Sequence, residues 1–196
     1  MNSDLRRRLE FFMETDKMKY VLRRTFVGDA SRNENDAEHT FSLALLAMVL
    51  QDYADERVDI SRVIRMALVH DLIEIYAGDT YVYDTNAMES KTEREDEAAD
   101  KLFGMLPEAQ AAEFEALWRE FDAEETPDAR FAACLDRFHP MLMNYYTGGI
   151  SWLEHGVCVS QVRKRMHIIS EVCQPLYELV ELMLSDAVRR GLLKDE

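Results

Sequence analysis

The stretch Ala67-Leu68-Val69-His70-Asp71-Leu72-Ile73-Glu74 decides how this chain is read. It is apolar except for His70, Asp71 and Glu74. A polar or charged pair in such a run loses solvation unless something compensates, and a metal ion does so well. His39 stands upstream in Asn35-Asp36-Ala37-Glu38-His39-Thr40, and Asp136 stands downstream in Ala133-Cys134-Leu135-Asp136-Arg137-Phe138. Together, His39, His70, Asp71 and Asp136 offer mixed nitrogen and oxygen donors for a divalent transition metal, with positions left for water and substrate.

Taken singly, each of these residues has an ordinary reading. His39 follows a helix start, where a capping or surface histidine is common. His70 lies in an apolar stripe, where a hydrogen-bonded core histidine is common. Asp71, Glu74 and Asp136 read as polar residues of solvated faces. Spacing changes the balance. Successive helical residues point about 100° apart, so His70 and Asp71 can flank one ion. Glu74 is one turn on and projects over the same place. A carboxylate there can orient a water or relay its proton. Of the five histidines, none outside this set forms a second His-Asp or HxxxH arrangement, so one metal ion is expected. His139, one turn from Asp136, is the candidate for a supporting role. With oxygen donors making half the set, a closed structural zinc site is disfavoured. Mn²⁺, Co²⁺, Fe²⁺, Ni²⁺ and Zn²⁺ all fit, and affinity alone does not choose among them.

The set His39, His70-Asp71 and Asp136 resembles the H…HD…D pattern of the HD-domain metal-dependent phosphohydrolases. The likeness runs from about Arg23 to about Asp136. Glu38-His39-Thr40, and His70-Asp71 with Glu74 followed by Gly78-Asp79, look most like the 5′-deoxynucleotidase branch. The resemblance implies an HD-type helical bundle, a phosphate-binding role for Arg24, a role for Asp79 near the sugar and the leaving oxygen, and a homodimer. The branch carries an Arg-Trp pair at this distance before its Glu-His, whereas this chain has Arg24-Thr25 followed by Phe26. That departure leaves nucleoside stacking, and with it base and sugar selectivity, open. Lys91 opens a Lys-Thr-Glu-Arg-Glu run that reads as a solvated charge ladder, with a phosphate contact as the alternative.

Composition bounds the rest. The chain has 196 residues, 47% hydrophobic and 31% charged, which fits a single globular unit over 1–196. A net charge of −15 argues against a nucleic-acid polymer as partner but not against a small anion held beside a metal. No run of about 18 apolar residues exists to span a membrane. The N-terminus lacks a signal-peptide core. Cys134, Cys158 and Cys173 form no CxxC, which favours a reducing, cytoplasmic setting.

The hydrophobic period is helical almost throughout, so an all-α protein of roughly six to eight helices is expected. Met18, Val21 and Leu22 extend an apolar stripe that places Arg23-Arg24 at a helix end. A helix capped by Asn35 and Glu38 runs to about Tyr53 and, being apolar on most faces, is expected to be central and buried. The next starts near Asp59 or Ser61 and runs through His70 to just before Gly78. A loop follows from Asp79 to about Asn86, then helices over Glu89–Leu106 and from about Glu108 to Phe121. Thr126 and Pro127 open the helix carrying Asp136, which Gly148-Gly149 closes. A long helix from Ser160, bent at Pro175, ends at Gly191.

The function expected is metal-dependent removal of the 5′-phosphate from (deoxy)nucleoside monophosphates. The alternatives are an HD phosphohydrolase of another small phosphate ester or cyclic nucleotide, and a metal-binding regulatory module without turnover.

Overall fold

The computed structural model describes residues 3–78 and 91–196. Its elements run α1 (Ser3–Thr15), a short 3-10 turn (Asp16–Tyr20), strands β1 (Leu22–Phe26) and β2 (Asn33–Asn35), then α2 (Asp36–Leu50). α3 (Ile60–Val69), α4 (Glu74–Ala77), α5 (Lys91–Phe103), α6 (Glu108–Ala123) and α7 (Pro127–Tyr146) follow. The chain ends in α8 (Ile150–His155), α9 (Val159–Arg165), α10 (His167–Val172) and α11 (Gln174–Arg189). The protein is thus all-α and, among the described residues, carries one small antiparallel ladder pairing Leu22 with Asn35 and Phe26 with Asn33.

Local signals set the helix starts. The Asn35 side chain accepts from the Glu38 amide at 3.0 Å and the Glu38 carboxylate accepts from the Asn35 amide at 3.3 Å, a reciprocal cap. Asp59 accepts from the Ser61 amide at 3.0 Å, and Thr126 Oγ1 from the Ala129 amide at 3.1 Å with Pro127 behind it. The first turns of α2, α3 and α7 are fixed by these contacts, each worth about 1 kcal/mol. The three helices then pack on one another. Leu43, Met66, Ala67, Phe131 and Leu135 are buried where they meet, in one contiguous hydrophobic cluster. Among the described residues, no helix is long and apolar enough to cross a membrane.

Four local expectations change. Arg23 and Arg24 lie on β1, not at a helix end. The β-branched and aromatic run Val21 to Val27, closed by Gly28-Asp29, outweighs a helical stripe of three residues. The helix expected to reach Gly78 stops at Val69. There His70 Nδ1 donates to the Ala67 carbonyl at 2.8 Å, the acceptor a continuing helix would offer to the Asp71 amide. The backbone tightens, with Leu72 N bonding Val69 O and Glu74 N bonding Asp71 O, before α4 forms. α2 is only half buried: Phe41, Leu45, Met48 and Val49 face outward despite their apolar character. The last helix is three, because Pro175 lies in the first turn of α11 and starts that helix instead of bending a longer one. The loop expected over Asp79 to Asn86 lies outside the described residues.

Candidate metal centre

Three segments carry the donors to one place. α2 presents His39 from its first turn, and the α3–α4 turn presents His70 and Asp71. α7 presents Asp136. The hairpin packs against α7 and α2 beside these donors. Strand alternation turns Arg23 and Thr25 inward and leaves Leu22 and Arg24 exposed. From β2, Glu34 reaches inward at 3% exposure.

His39 is wholly buried, and His70 and Asp71 nearly so. His39 Nε2 is 2.9 Å from Asp136 Oδ1 and 3.8 Å from Asp71 Oδ2. His70 Nε2 is 3.1 Å from Asp71 Oδ1 and 3.7 Å from Asp136 Oδ1. Adjacent donors held about 2.0–2.2 Å from one ion lie roughly 2.9–3.6 Å apart, so these spacings suit a single ion with only small shifts. His70 Nε2 carries the sharper sign. It is buried and has no well-formed hydrogen bond among the described residues, although both carboxylates lie close. Its ring is fixed, because Nδ1 donates to Ala67 and one face packs on Phe121 with ring centroids 4.5 Å apart. A buried imidazole nitrogen aimed at two carboxylates is what a metal ligand needs.

Electrostatics agree. Burial alone would push His70 down, but Asp71 and Asp136 outweigh it and raise it to about 10 in the metal-free protein. Burial pushes Asp71 and Asp136 up, and the adjacent imidazoles more than offset this and hold both carboxyls below the usual range. His39 is lowered by burial and by the Arg23 charge. Burial raises Glu34 to about 7 against the pull of Arg23.

Further charged side chains surround the donors. Arg23 donates to Asp71 Oδ2 at 2.8 Å and to Asp36 Oδ1 at 3.2 Å. Asp36, Asp71 and Glu74 each place one carboxylate oxygen within 4.8 Å of the others. His139 Nδ1 is 3.1 Å from His39 Nδ1. So His39, His70, Asp71 and Asp136 converge, Glu74 stands beside Asp71, and Arg24 points away from the cluster. Asp79 lies outside the described residues. Lys91 begins α5, and its side chain is likewise outside them. Arg23, Glu34 and Asp36 are the residues the sequence did not single out. Strand alternation would have exposed the first two, had β1 and β2 been recognised. Asp36 looks like an ordinary first-turn acid, yet it is fully buried.

Comparison with known proteins places this geometry. The chain is 33% identical over 135 residues to human 5′-deoxynucleotidase HDDC2, an alignment covering 68% of this chain and 65% of that protein. It therefore spans just under two thirds of that relative's length. A crystal structure of a predicted metal-dependent phosphohydrolase from Magnetospirillum magnetotacticum MS-1 is similar at TM-score 0.93 and 48% identity, over 97% of this chain and 96% of that one. PH0347 protein from Pyrococcus horikoshii OT3, at 22% identity and TM-score 0.65 over 90% of this chain and 98% of that one, shares the fold. The HD domain family matches residues 15–176, and this chain belongs to that family.

Proposed function

We propose that this protein is a metal-dependent phosphomonoesterase that removes the 5′-phosphate of deoxynucleoside monophosphates. The observation that carries the proposal is the convergence of two imidazoles and two carboxylates beside a further acidic pair. The similarity to 5′-deoxynucleotidase HDDC2 supports the choice of substrate class. One HD-type domain over 1–196 fits the single contiguous core. A homodimer is supported by the exposed apolar residues of α1 and α2, Phe12 and Phe41 among them. A cytoplasmic setting accords with three unpaired cysteines.

In this reading His39, His70, Asp71 and Asp136 hold one divalent ion. When bound, the ion supplies Lewis acidity to a phosphoryl oxygen and lowers the pKa of water. Glu74 orients the attacking water and takes its proton. Arg23 holds Asp71 in place through a 2.8 Å hydrogen bond. Asp79 contacts the sugar or protonates the leaving O5′, and Lys91 contacts phosphate. The test is phosphate release from deoxy- and ribonucleoside monophosphates, cyclic nucleotides, triphosphates and sugar phosphates, run with Mn²⁺, Co²⁺, Fe²⁺, Ni²⁺ and Zn²⁺ in turn. Preferential release from a deoxynucleoside monophosphate is expected. Release from another ester class would transfer the site to that substrate. No release from any ester would make the protein a metal-binding module without turnover.

The two adjacent arginines give a sharper prediction. If Arg24 binds the phosphoryl group it does so from the exposed face of β1, whereas Arg23 is already engaged with Asp71. Lysine keeps the charge but not the two-pronged guanidinium geometry. Arg23→Lys is therefore expected to lower kcat/KM by about tenfold or more, in the range of a charged hydrogen bond of about 1.5–3 kcal/mol. Arg24→Lys is expected to raise KM with kcat little changed, if it binds phosphate at all. Identical kinetics of Arg24→Lys and wild type would remove Arg24 from the site.

A further inference from the structure

The cluster contains one more imidazole than the ligand set uses. His139 lies on α7 one turn beyond Asp136, 5% exposed, with Nδ1 3.1 Å from Nδ1 of His39. The two rings are tilted by 51° with centroids 5.2 Å apart, an edge-on approach and not a stack. Two ring nitrogens at that distance share one proton. His39 binds an ion through Nε2 only if that nitrogen bears a lone pair, so its proton must sit on Nδ1. His139 must then accept with its own Nδ1 and carry its proton on Nε2. On that side stands Glu34, with Oε1 3.8 Å from His139 Nε2. A carboxyl group presents an acceptor oxygen there in either protonation state.

Pro140 follows His139 directly and has no amide proton to give the Asp136 carbonyl, so that carbonyl lacks its usual helical donor. Asn144 Nδ2 in turn donates to the Pro140 carbonyl at 2.9 Å. Metal-bound histidines usually donate their second N–H to a carboxylate, a backbone carbonyl or water. Here the acceptor is a second imidazole, itself able to take either tautomer, with a buried carboxyl behind it.

We propose that His139 is a positioning residue of the metal centre, accepting the Nδ1 proton of His39 and so holding His39 in the tautomer whose Nε2 lone pair faces the ion. The proposal rests on His39 being a metal ligand, and the experiment separates the two. Metal affinity is measured by competition with a chromophoric chelator on the zinc-loaded full chain. His139→Phe keeps the ring volume but removes the acceptor, and is expected to weaken zinc binding by about 10–100-fold. His139→Asn restores an acceptor oxygen near the position of Nδ1 and is expected to recover most of that loss. Nitrogen-15 histidine spectra of the zinc-loaded wild type need no variant. They are expected to show His39 protonated at Nδ1 and His139 at Nε2. A His139→Phe protein that folds and binds zinc as tightly as wild type would overturn the proposal. So would a His139 protonated at Nδ1, or a second zinc per chain bound through His139 and Glu34. A wild type that binds no metal at all would instead defeat the metal reading itself.

Discussion

Asp71→Ala is expected to remove bound metal and turnover together, with His70→Ala behaving alike. Asp71 is nearly buried and uses both oxygens: Oδ1 faces His70 at 3.1 Å, while Oδ2 faces His39 at 3.8 Å and takes the Arg23 hydrogen bond at 2.8 Å. Removing it deletes a donor and takes from Arg23, whose side chain is 12% exposed, the shorter of its contacts, leaving Asp36 and Glu34 as its carboxylate neighbours. Breaking a buried charge pair costs about 3–5 kcal/mol, or a factor of about 10²–10⁴ in an equilibrium constant. Metal content after gel filtration and phosphate release measured on the same samples check this. Stoichiometric metal in both variants would sink the ligand assignment. Acidity supplies an independent check. Metal binding must expel the proton that Asp71 and Asp136 hold on His70, so apparent affinity is expected to rise with pH while His70 remains protonated, up to about pH 10. The sign for stability is opposite. The folded-state value lies above the ordinary 6.5, so protonated His70 stabilises the metal-free fold fully below about 6.5, and this is lost as pH rises towards about 10. His70→Gln is expected to remove that loss from the unfolding profile of the metal-free protein.

Much of this arrangement was legible before any coordinates, and the exceptions share a cause. The capping pairs Asn35 with Glu38 and Thr126 with Pro127 are local, so the starts of α2 and α7 could be read directly. Ala98, Leu102, Phe103 and Leu106 recur at helical spacing within Glu89–Leu106, and all four are buried. The hairpin was missed because its two strands are short, five and three residues, and pair with an irregular register. That miss carried Arg23 and Glu34 with it, since only strand alternation shows that residue 23 and not residue 24 turns inward. The break after Val69 was invisible for a different reason. It depends on a side chain, His70 Nδ1, taking a backbone acceptor from the helix it terminates. Periodicity describes regular backbone, and a functional residue that bends the backbone to aim itself leaves no periodic trace. The outward apolar row of α2 marks the same limit from the other side: hydrophobic content does not say which face the fold will cover.

Glu74→Gln is expected to leave the metal in place and to lower kcat by about 10²–10⁴, the scale of a positioned acid–base group. The tightened turn that ends α3 puts Glu74 at the first position of α4, its amide bonded to the Asp71 carbonyl at 3.0 Å. This locks the backbone of Glu74 to that of a candidate ligand, and a carboxylate oxygen of each lies within 4.8 Å of the other. Glutamine keeps the length and volume but cannot take a proton from water, so packing and metal content should hold while turnover falls. Asp36 is the natural control, as the third carboxylate of the same group. It is wholly buried and tied to Arg23 at 3.2 Å, which fits it to hold that arginine and leaves it poorly placed to meet substrate. Asp36→Asn should therefore cost stability more than kcat, the reverse of Glu74→Gln. Kinetics with metal analysis and thermal unfolding of both variants separate the roles. If Glu74→Gln loses its metal, Glu74 is a ligand and the site draws on the Asp36, Asp71 and Glu74 group. If it turns over normally while Asp36→Asn does not, the proton acceptor is Asp36, and Glu74 takes no part in the proton transfer.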